Sequence, residues 1–402
     1  MRSHTFTLAV RSPPVSGRIC VIGAGFAGLA AADALQTAGA EVVVLEARDR
    51  VGGRVWSDRL ANGAVHERGG EFVTRGYETM AALCGRLGLV LAGMGIRYPD
   101  RELHPDPGID FAAVTAGLEA ALAAARSGPD VPAPAALAAA VTDPDVRELF
   151  AARLQSAAAY PIEQLRARWF AELPGLFAGD ETRRVAGGNQ RLAEALAAGL
   201  ELPPLLGTEV RAIRGTGPFL VATERDELEA DACVLAVPCW AMAAIAFEPP
   251  LPAATAEAIA ALPVGTAAKL AVALAAPAPP RAVMSVPDRF WAWTTGDGGA
   301  AGAWAGSAPV VDAMGDAGAW LARVAALRPE LALDAGDLAH TVWERAYSVQ
   351  ATDAEGPLAT GSPRLVLAGE HTAGAWSGTM EGALRSGLRA ARDLLATASP
   401  GA

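Results

Sequence analysis

The sequence predicts an α/β fold, and three features of residues 18–46 carry this prediction. Residues 18–22 (RICVI) form a short apolar run typical of a buried strand, and a Gly-rich turn, GAGFAG, follows at 23–28. Residues 29–39 have helical composition and end at a glycine, as helices often do. Residues 41–45 (EVVVL) predict a second strand. This order of elements is typical of a Rossmann-type dinucleotide-binding unit.

Each glycine of the turn has a physical role in such a unit. Gly23 allows the tight turn, Gly25 lets the backbone approach a pyrophosphate, and Gly28 lets the helix pack on the strand. Glu46 ends the second strand, where its carboxylate accepts hydrogen bonds from ribose hydroxyls. An ordinary Gly-rich turn beside a surface glutamate is the alternative, and we favour the dinucleotide interpretation.

The residues after Glu46 favour FAD over NAD. Arg48 is followed by the run Gly52-Gly53-Arg54. Two glycines and a guanidinium suit a loop that returns to clamp the pyrophosphate of a permanently held FAD. The alternative is that Arg48 and Arg54 are solvated surface charges.

Strand and helix patterns of the same kind return in the middle and at the end of the chain. Residues 231–238 (DACVLAVP) predict a strand, and residues 364–371 predict another that precedes a final helix over 380–396. Residues 76–184 look mostly helical, with a new helix beginning at the N-cap Asp143. We therefore predict an FAD-binding domain in three pieces and an inserted α+β substrate domain. The predicted bounds are 17–75, 185–245 and 335–398 for the FAD-binding domain, 76–184 and 246–334 for the substrate domain, and 1–16 for a loose leader.

Composition excludes several classes of function. The 44 acidic and 33 basic residues give a net charge of −11 without a basic run, so we expect neither a nucleic-acid partner nor a membrane partner. The four scattered cysteines form no CxxC pair, and the five histidines lack metal-ligand spacing, so we expect no metal site. No signal peptide or transmembrane run is evident, which predicts a cytoplasmic protein. The sequence leaves open whether the protein forms a homodimer.

Six blocks in sequence order resemble the flavin-containing amine oxidase family, the superfamily of monoamine oxidases and L-amino acid oxidases. The resemblance spans nearly the whole chain and is far more specific than the GxGxxG pattern alone. The blocks are GAGFAGLAAADAL with VVVLEARDRVGGRV, GGEFV at 69–73, RVAGGNQRLAEAL, VLAVPCW, VGTAAK, and AGEHTAGAWSGTMEGALRSGLRAA.

The resemblance implies how FAD is held. Glu46 would bind the adenosine ribose, and Val210 would lie near the adenine. Glu370 and Met380 would contact the ribityl chain and the pyrimidine end of the ring. The residues that would line the pyrophosphate are Arg48, Gly53 and Arg54. Ala351 stands where covalent members of the family carry a cysteine, so FAD should be non-covalent.

The resemblance also implies the reaction. A hydride leaves a carbon next to nitrogen in an amine, amino acid or amide and reduces the flavin, an imine forms, and O2 reoxidises the flavin with release of hydrogen peroxide. Lys269 would hold a water against the reactive flavin nitrogen, and Trp376 would pack near the ring. Lys269 lies in the apolar run AAKLAVAL, where burial without a task is costly. The alternative is a lysine that extends to solvent at a strand edge.

The substrate side departs from the simple monoamine oxidases. Thr352 and Thr379 stand at their two tyrosine positions, which predicts a wider or more polar pocket and a specialised, biosynthetic nitrogen substrate. Glu71 is predicted either to act on a substrate ammonium or to bond to backbone in its loop. Trp291 is a further candidate for the pocket wall.

Two other functions fit the same blocks. A flavin-dependent desaturase or porphyrinogen-type oxidase would act on C–C bonds. A non-catalytic flavin-binding scaffold would keep the cofactor without turnover.

Overall fold

The computed structural model describes residues 17–97, 101–106, 108–109, 111–172, 181–349 and 358–397. The predicted leader 1–16 and the two predicted positions Ala351 and Thr352 lie outside these ranges.

The helices of the described part are α1 (Phe26–Thr37), α2 (Glu78–Arg86), α3 (Phe111–Ser127), α4 (Ala133–Ala140), α5 (Pro144–Ala158), α6 (Ala167–Glu172), α7 (Gln190–Ala198), α8 (Cys239–Met242), α9 (Ala253–Ala260), α10 (Ala308–Met314), α11 (Ala317–Leu327) and α12 (Met380–Thr397). The strands are β1 (Arg18–Ile22), β2 (Glu41–Leu45), β3 (Ser57–Arg59), β4 (Val65–Glu67), β5 (Leu91–Gly93), β6 (Glu102–His104), β7 (Arg183–Val185), β8 (Val210–Arg214), β9 (Phe219–Thr223), β10 (Glu227–Ala230), β11 (Ala232–Leu235), β12 (Ala246–Glu248), β13 (Ala267–Leu274), β14 (Ala282–Ser285), β15 (Phe290–Thr294), β16 (Ala300–Gly306), β17 (Leu333–Trp343) and β18 (Leu365–Leu367).

A parallel sheet of order β18-β11-β1-β2 confirms the predicted α/β class. Its strands come from the beginning, the middle and the end of the chain, as the three predicted FAD-binding segments require. The strands are almost entirely apolar because helices and a second layer cover both faces of the sheet. The bounds of the two predicted domains stay a prediction.

The helices α1 and α12 pack closely on the parallel sheet. Leu29 and Leu35 of α1 are fully buried, and so is Leu384 of α12. The two helices touch where Gly387 meets Ala27, because a methyl group added at Gly387 would lie 2.1 Å from the Ala27 carbonyl oxygen. This contact fixes the start of α1, and with it the Gly-rich turn.

A six-stranded sheet of order β17-β13-β16-β15-β14-β6 forms the second large layer. Its pairs are antiparallel except β14–β6. The strand β13 is buried along its whole length, and Lys269 is its one charged residue. The sheet therefore places a basic group inside an apolar layer.

The segment 76–184 is less uniformly helical than predicted. The helix α5 begins as expected, with the Asp143 carboxylate accepting hydrogen bonds from the backbone N–H groups of Asp145 and Val146. However, β6 extends the six-stranded sheet, and β5 pairs with β7. Three-residue strands like these carry too little pattern to stand out among long Ala-rich helices.

A smaller sheet of order β10-β9-β8-β12 follows α7. Within the described ranges, no helix combines the length and the apolar character that crossing a bilayer requires.

Candidate functional site

Both large sheets contribute to one cavity of about 1000 Å3. The ends of β1 and β2 reach it from the parallel sheet, and β13, β15 and β16 reach it from the six-stranded sheet. Most of the predicted site residues line it. They are Gly23, Gly25, Glu46, Arg48, Gly53, Arg54, Glu71, Val210, Lys269, Trp291, Glu370, Thr379 and Met380. One cavity thus joins the predicted cofactor residues to the predicted reaction residues.

The Gly-rich turn separates open space from tight packing. Gly23 has φ +105°, a conformation that favours glycine. A methyl group added at Gly25 would meet nothing within 4 Å, whereas one added at Gly28 would lie 1.9 Å from the Gly23 carbonyl oxygen. Gly25 therefore opens to the cavity, while Gly28 lies in the contact between α1 and the turn.

The first turn of α1 also faces the cavity, since Phe26 and Ala27 line it. Backbone N–H groups at a helix N-terminus lack intrahelical partners and bind phosphate oxygens readily. The turn and the helix start together provide donors for a pyrophosphate.

Glu46 is anchored to the backbone around it. Its carboxylate accepts hydrogen bonds from the N–H groups of Ala24 at 2.7 Å and Arg48 at 2.9 Å. The side chain is buried and lines the cavity. Each carboxylate oxygen can accept more than one hydrogen bond, so capacity remains for ribose hydroxyls.

The second Gly-rich loop is tied to the first. The N–H of Gly52 donates to the Ala24 carbonyl at 2.9 Å. The guanidinium groups of Arg48 and Arg50 both donate to the Gly53 carbonyl, at 3.0 and 2.8 Å. The sequence did not single out Arg50, although its place beside the predicted Arg48 was a usable signal.

Arg54 and Glu370 form an ion pair of 2.7 Å across the cavity wall. Glu370 also accepts hydrogen bonds from the Ser348 hydroxyl and from the Gly378 N–H. Burial opposes the charge of Glu370, yet Arg54, His371 and the Ser348 hydrogen bond together hold its pKa below the ordinary carboxyl value. Glu370 is therefore an anion that fixes Arg54 beside the site.

Lys269 and Glu71 are paired with each other. The Lys269 ammonium donates to Glu71 Oε2 at 2.6 Å and to the Gly69 carbonyl at 3.1 Å. The two side chains are only 5% and 3% exposed. Lys269 does not extend to solvent, and Glu71 does not bond mainly to its own loop.

Lys269 is also the only lysine in the sequence, because 32 of the 33 basic residues are arginines. This count was a signal that the sequence reasoning left unused. An arginine cannot lose its proton in a protein, whereas a buried lysine can. The single lysine of the chain therefore differs in its chemistry from all the other basic residues.

Glu67 is a buried acid that the sequence reasoning missed. Its carboxylate accepts hydrogen bonds from the Asn189 N–H at 2.8 Å and the Ser57 hydroxyl at 2.7 Å. Burial and the neighbouring charge of Glu71 raise the pKa of Glu67 to about 7. A second carboxyl group thus lies behind Glu71, away from the cavity lining.

Aromatic side chains form the wall next to Lys269. The rings of Trp291 and Trp293 lie 4.3 Å apart, and Phe72 lies 5.1 Å from each of them. Phe72, Trp291 and Trp304 line the cavity. Trp293 lies behind them and donates from Nε1 to Glu71 Oε1 at 3.3 Å.

Trp376, predicted to pack near the flavin ring, and Thr379, predicted for the substrate pocket, have other contacts. Trp376 does not line the cavity, and its ring packs edge-on against Tyr77 at 5.7 Å, with Tyr77 forming the wall. Gly76 makes this possible, because a side chain there would collide with the Trp376 ring. Thr379 does line the cavity, but its hydroxyl also accepts the Gly382 N–H at 2.9 Å and caps α12.

The described residues hold no group of three or more potential ligands that could bind a metal ion.

Comparison with protein-family models gives one match that covers nearly the whole chain. A family described as flavin containing amine oxidoreductase matches residues 26–139 and 137–395. Among curated proteins, putrescine oxidase of Kocuria rosea is 31% identical over 297 residues, which cover 58% of this chain and 59% of that protein. The alignments span about three fifths of the length of the first curated relatives.

Solved structures share the fold. Cyclohexylamine oxidase from Brevibacterium oxydans superposes with a TM-score of 0.79 over 95% of this chain and 99% of that chain, at 21% identity. A putrescine oxidase bound to putrescine gives a TM-score of 0.79 over 94% of this chain and 99% of its own, also at 21% identity.

Proposed function

Since the chain belongs to the family of flavin-containing amine oxidoreductases, we propose that it is an FAD-dependent oxidase of a small amine or related nitrogen compound. The cofactor is FAD, held non-covalently. One observation carries the proposal: the cavity that begins at the Gly-rich turn and Glu46 ends at the buried pair Lys269–Glu71 and the aromatic wall. FAD, when bound, accepts a hydride and returns its electrons to O2, with release of hydrogen peroxide.

The residues of the cavity fit the parts of FAD. Gly25 leaves room for a pyrophosphate, the first turn of α1 offers N–H donors, and Glu46 offers acceptors for ribose hydroxyls. The helix α12 begins at Met380 on the cavity wall, and its positive end favours negative charge there.

The substrate side favours a neutral amine with an apolar or aromatic substituent. Phe72, Trp291 and Trp304 offer apolar surface, and the Glu71 charge is already neutralised by Lys269. A substrate must lose its ammonium proton before reaction, because the nitrogen lone pair forms the C=N bond as the C–H bond breaks. A pocket that welcomes the neutral amine therefore favours the reactive form. Such a pocket suits cyclohexylamine, a monoamine with an apolar ring, better than it suits the diamine putrescine.

The substrate proposal keeps the expectation of a specialised substrate. Thr379 offers a small side chain where the simple monoamine oxidases have a tyrosine, which leaves width for a bulky substituent. The family match does not favour the desaturase or the scaffold alternative.

An anaerobic titration tests the proposal. The FAD-loaded protein is mixed in turn with cyclic and aromatic monoamines, putrescine, amino acids and N-acyl amines while the visible spectrum is recorded. We expect an apolar monoamine to bleach the oxidised flavin band and air to restore it with one equivalent of hydrogen peroxide. A yellow protein that no compound bleaches would contradict the oxidase proposal, and bleaching by putrescine alone would contradict the substrate class.

A further inference from the structure

The Lys269 ammonium is held by two acceptors of one loop. An ammonium group has three hydrogens, and two of them are used by Glu71 Oε2 and the Gly69 carbonyl. Both acceptors belong to the loop that follows β4, and they lie 200 and 198 residues before Lys269 in the sequence. One N–H remains for the cavity that Lys269 lines.

The Glu71 carboxylate is itself fixed on its other oxygen. Oε1 accepts the Trp293 Nε1–H at 3.3 Å and lies 3.9 Å from the Arg184 guanidinium. The Asn189 side chain donates to the carbonyl oxygens of Gly70 at 3.1 Å and Glu71 at 2.7 Å, which holds the backbone of the loop. Both oxygens of the carboxylate therefore have partners, although Glu71 itself lines the cavity.

Burial makes the pairing consequential. A charged group deep in a protein is stable only when a partner compensates for the lost hydration, and removing one partner of a buried pair leaves the other uncompensated. Without this carboxylate, Lys269 would lose the contact that orients its remaining hydrogen.

We propose that Glu71 is a positioning residue that fixes the Lys269 ammonium and directs its remaining N–H into the cavity. This proposal rests on the proposed function, because the group that receives the N–H belongs to the reacting end of the site. It differs from a direct role of Glu71 as the acceptor of a substrate proton. Glu71 acts through Lys269, because both of its carboxylate oxygens already have partners.

The single lysine allows a direct spectroscopic test that does not need turnover. Protein grown with lysine labelled at the ε carbon gives one side-chain signal, whose chemical shift reports the surroundings of the Lys269 ammonium. We expect Glu71→Gln to shift this signal and Glu71→Asp to return it part of the way. A signal at the same position in the unaltered protein and in Glu71→Gln would overturn the proposal, whether or not any amine is oxidised.

A double-mutant cycle tests whether Glu71 acts through Lys269. We expect Glu71→Gln and Lys269→Met each to slow anaerobic flavin reduction by about ten- to a hundredfold, the loss typical of one charge-assisted hydrogen bond. The double variant should be no slower than Lys269→Met alone. Effects that multiply would show that Glu71 works independently, on the substrate, and would overturn the proposal.

The control variant is Glu227→Gln. It removes an exposed ion pair with Arg214 of 2.8 Å and changes the net charge by the same amount. It should leave both the lysine signal and the reduction rate unchanged. Because the spectroscopic test uses no substrate, its result separates a failure of this proposal from a failure of the proposed function.

Discussion

The Glu46 carboxylate accepts a hydrogen bond from the backbone N–H of Ala24 at 2.7 Å, so the end of β2 is tied to the Gly-rich turn after β1. A surface glutamate would have no such contact. The side chain both shapes the turn and presents its remaining lone pairs to the cavity.

Replacing Glu46 should therefore cost FAD affinity. In Glu46→Ala the ribose loses its acceptors and the turn loses an anchor, and we expect FAD binding to weaken at least about tenfold. Fluorescence quenching on titration of FAD into the unloaded protein measures this. Glu46→Gln keeps one acceptor oxygen, so its FAD affinity should lie between those of the unaltered protein and Glu46→Ala. Full retention of FAD by Glu46→Ala would contradict the ribose assignment.

The two glycines of the turn should respond in opposite ways to alanine. A methyl group at Gly25 meets nothing within 4 Å, so Gly25→Ala should unfold at the same denaturant concentration without FAD but bind FAD poorly. A methyl group at Gly28 collides with the Gly23 carbonyl, so Gly28→Ala should lose several kcal/mol of stability even without FAD. Urea unfolding of both unloaded variants, followed by FAD titration, separates the two effects. Equal stability of the two variants would contradict this assignment.

Lys269→Met should keep the fold and the flavin while it slows the reaction. Methionine fills a similar volume in the apolar strand β13, but it cannot donate a hydrogen bond to the cavity. We expect reoxidation of reduced flavin by O2 to fall about ten- to a hundredfold. Stopped-flow absorbance measures the rate, and the FAD content of the purified variant serves as its control. Reoxidation at an unaltered rate would remove Lys269 from the reaction.

Glu67 should make stability fall as pH rises. Burial and Glu71 raise its pKa to about 7 in the folded protein, whereas the unfolded chain ionises near 4.5. The folded state thus holds the extra proton between these values, so the free energy of unfolding decreases from about pH 4.5 to about pH 7, by roughly 3 kcal/mol. Glu67→Gln should abolish this loss. Urea unfolding of both proteins at pH 5 and pH 8 measures the difference.

Comparing the unaltered protein with Glu67→Gln removes the contribution of the two buried histidines, which changes with pH in the opposite sense. Burial lowers the pKa of His66 and of His371 to about 4. Each histidine therefore stabilises the fold above the pKa that it has in the unfolded chain, and this contribution is lost as pH falls. Both titrate in the unaltered protein and in Glu67→Gln alike. A variant that gains no stability relative to the unaltered protein at pH 8 would contradict the raised pKa.

The sequence predicted what is local and missed what is distant. The unit over 18–46 was predictable because strand, turn and helix depend on neighbouring residues, and GxGxxG spacing is itself a local geometry. The pairing of Lys269 with Glu71 joins residues 198 positions apart, and no spacing rule connects them. The loop around Glu71 allowed two interpretations of its carboxylate. The structure shows a third contact, the ion pair with Lys269 of β13 in the six-stranded sheet.

The sequence also did not predict that Glu67 is enclosed or that Trp376 does not line the cavity. Glu67 lies in a polar stretch, VHERGGE, yet its side chain is enclosed, because Asn189 and Ser57 satisfy its oxygens. Trp376 lies in a block that resembles the family, yet its ring packs against Gly76 and Tyr77 and does not line the cavity. Packing decided both cases, and packing depends on the whole chain.

The order of strands in the parallel sheet has a consequence for synthesis on the ribosome. The neighbours β1 and β2 emerge early, but β11 and β18 follow about two hundred and more than three hundred residues later. The edge of β1 that later pairs with β11 therefore stays unpaired while much of the chain is being translated. An exposed strand edge of this kind is a binding site for chaperones. We therefore expect flavin to be captured late, since Glu370 and the start of α12 are among the last parts of the cavity lining to leave the exit tunnel.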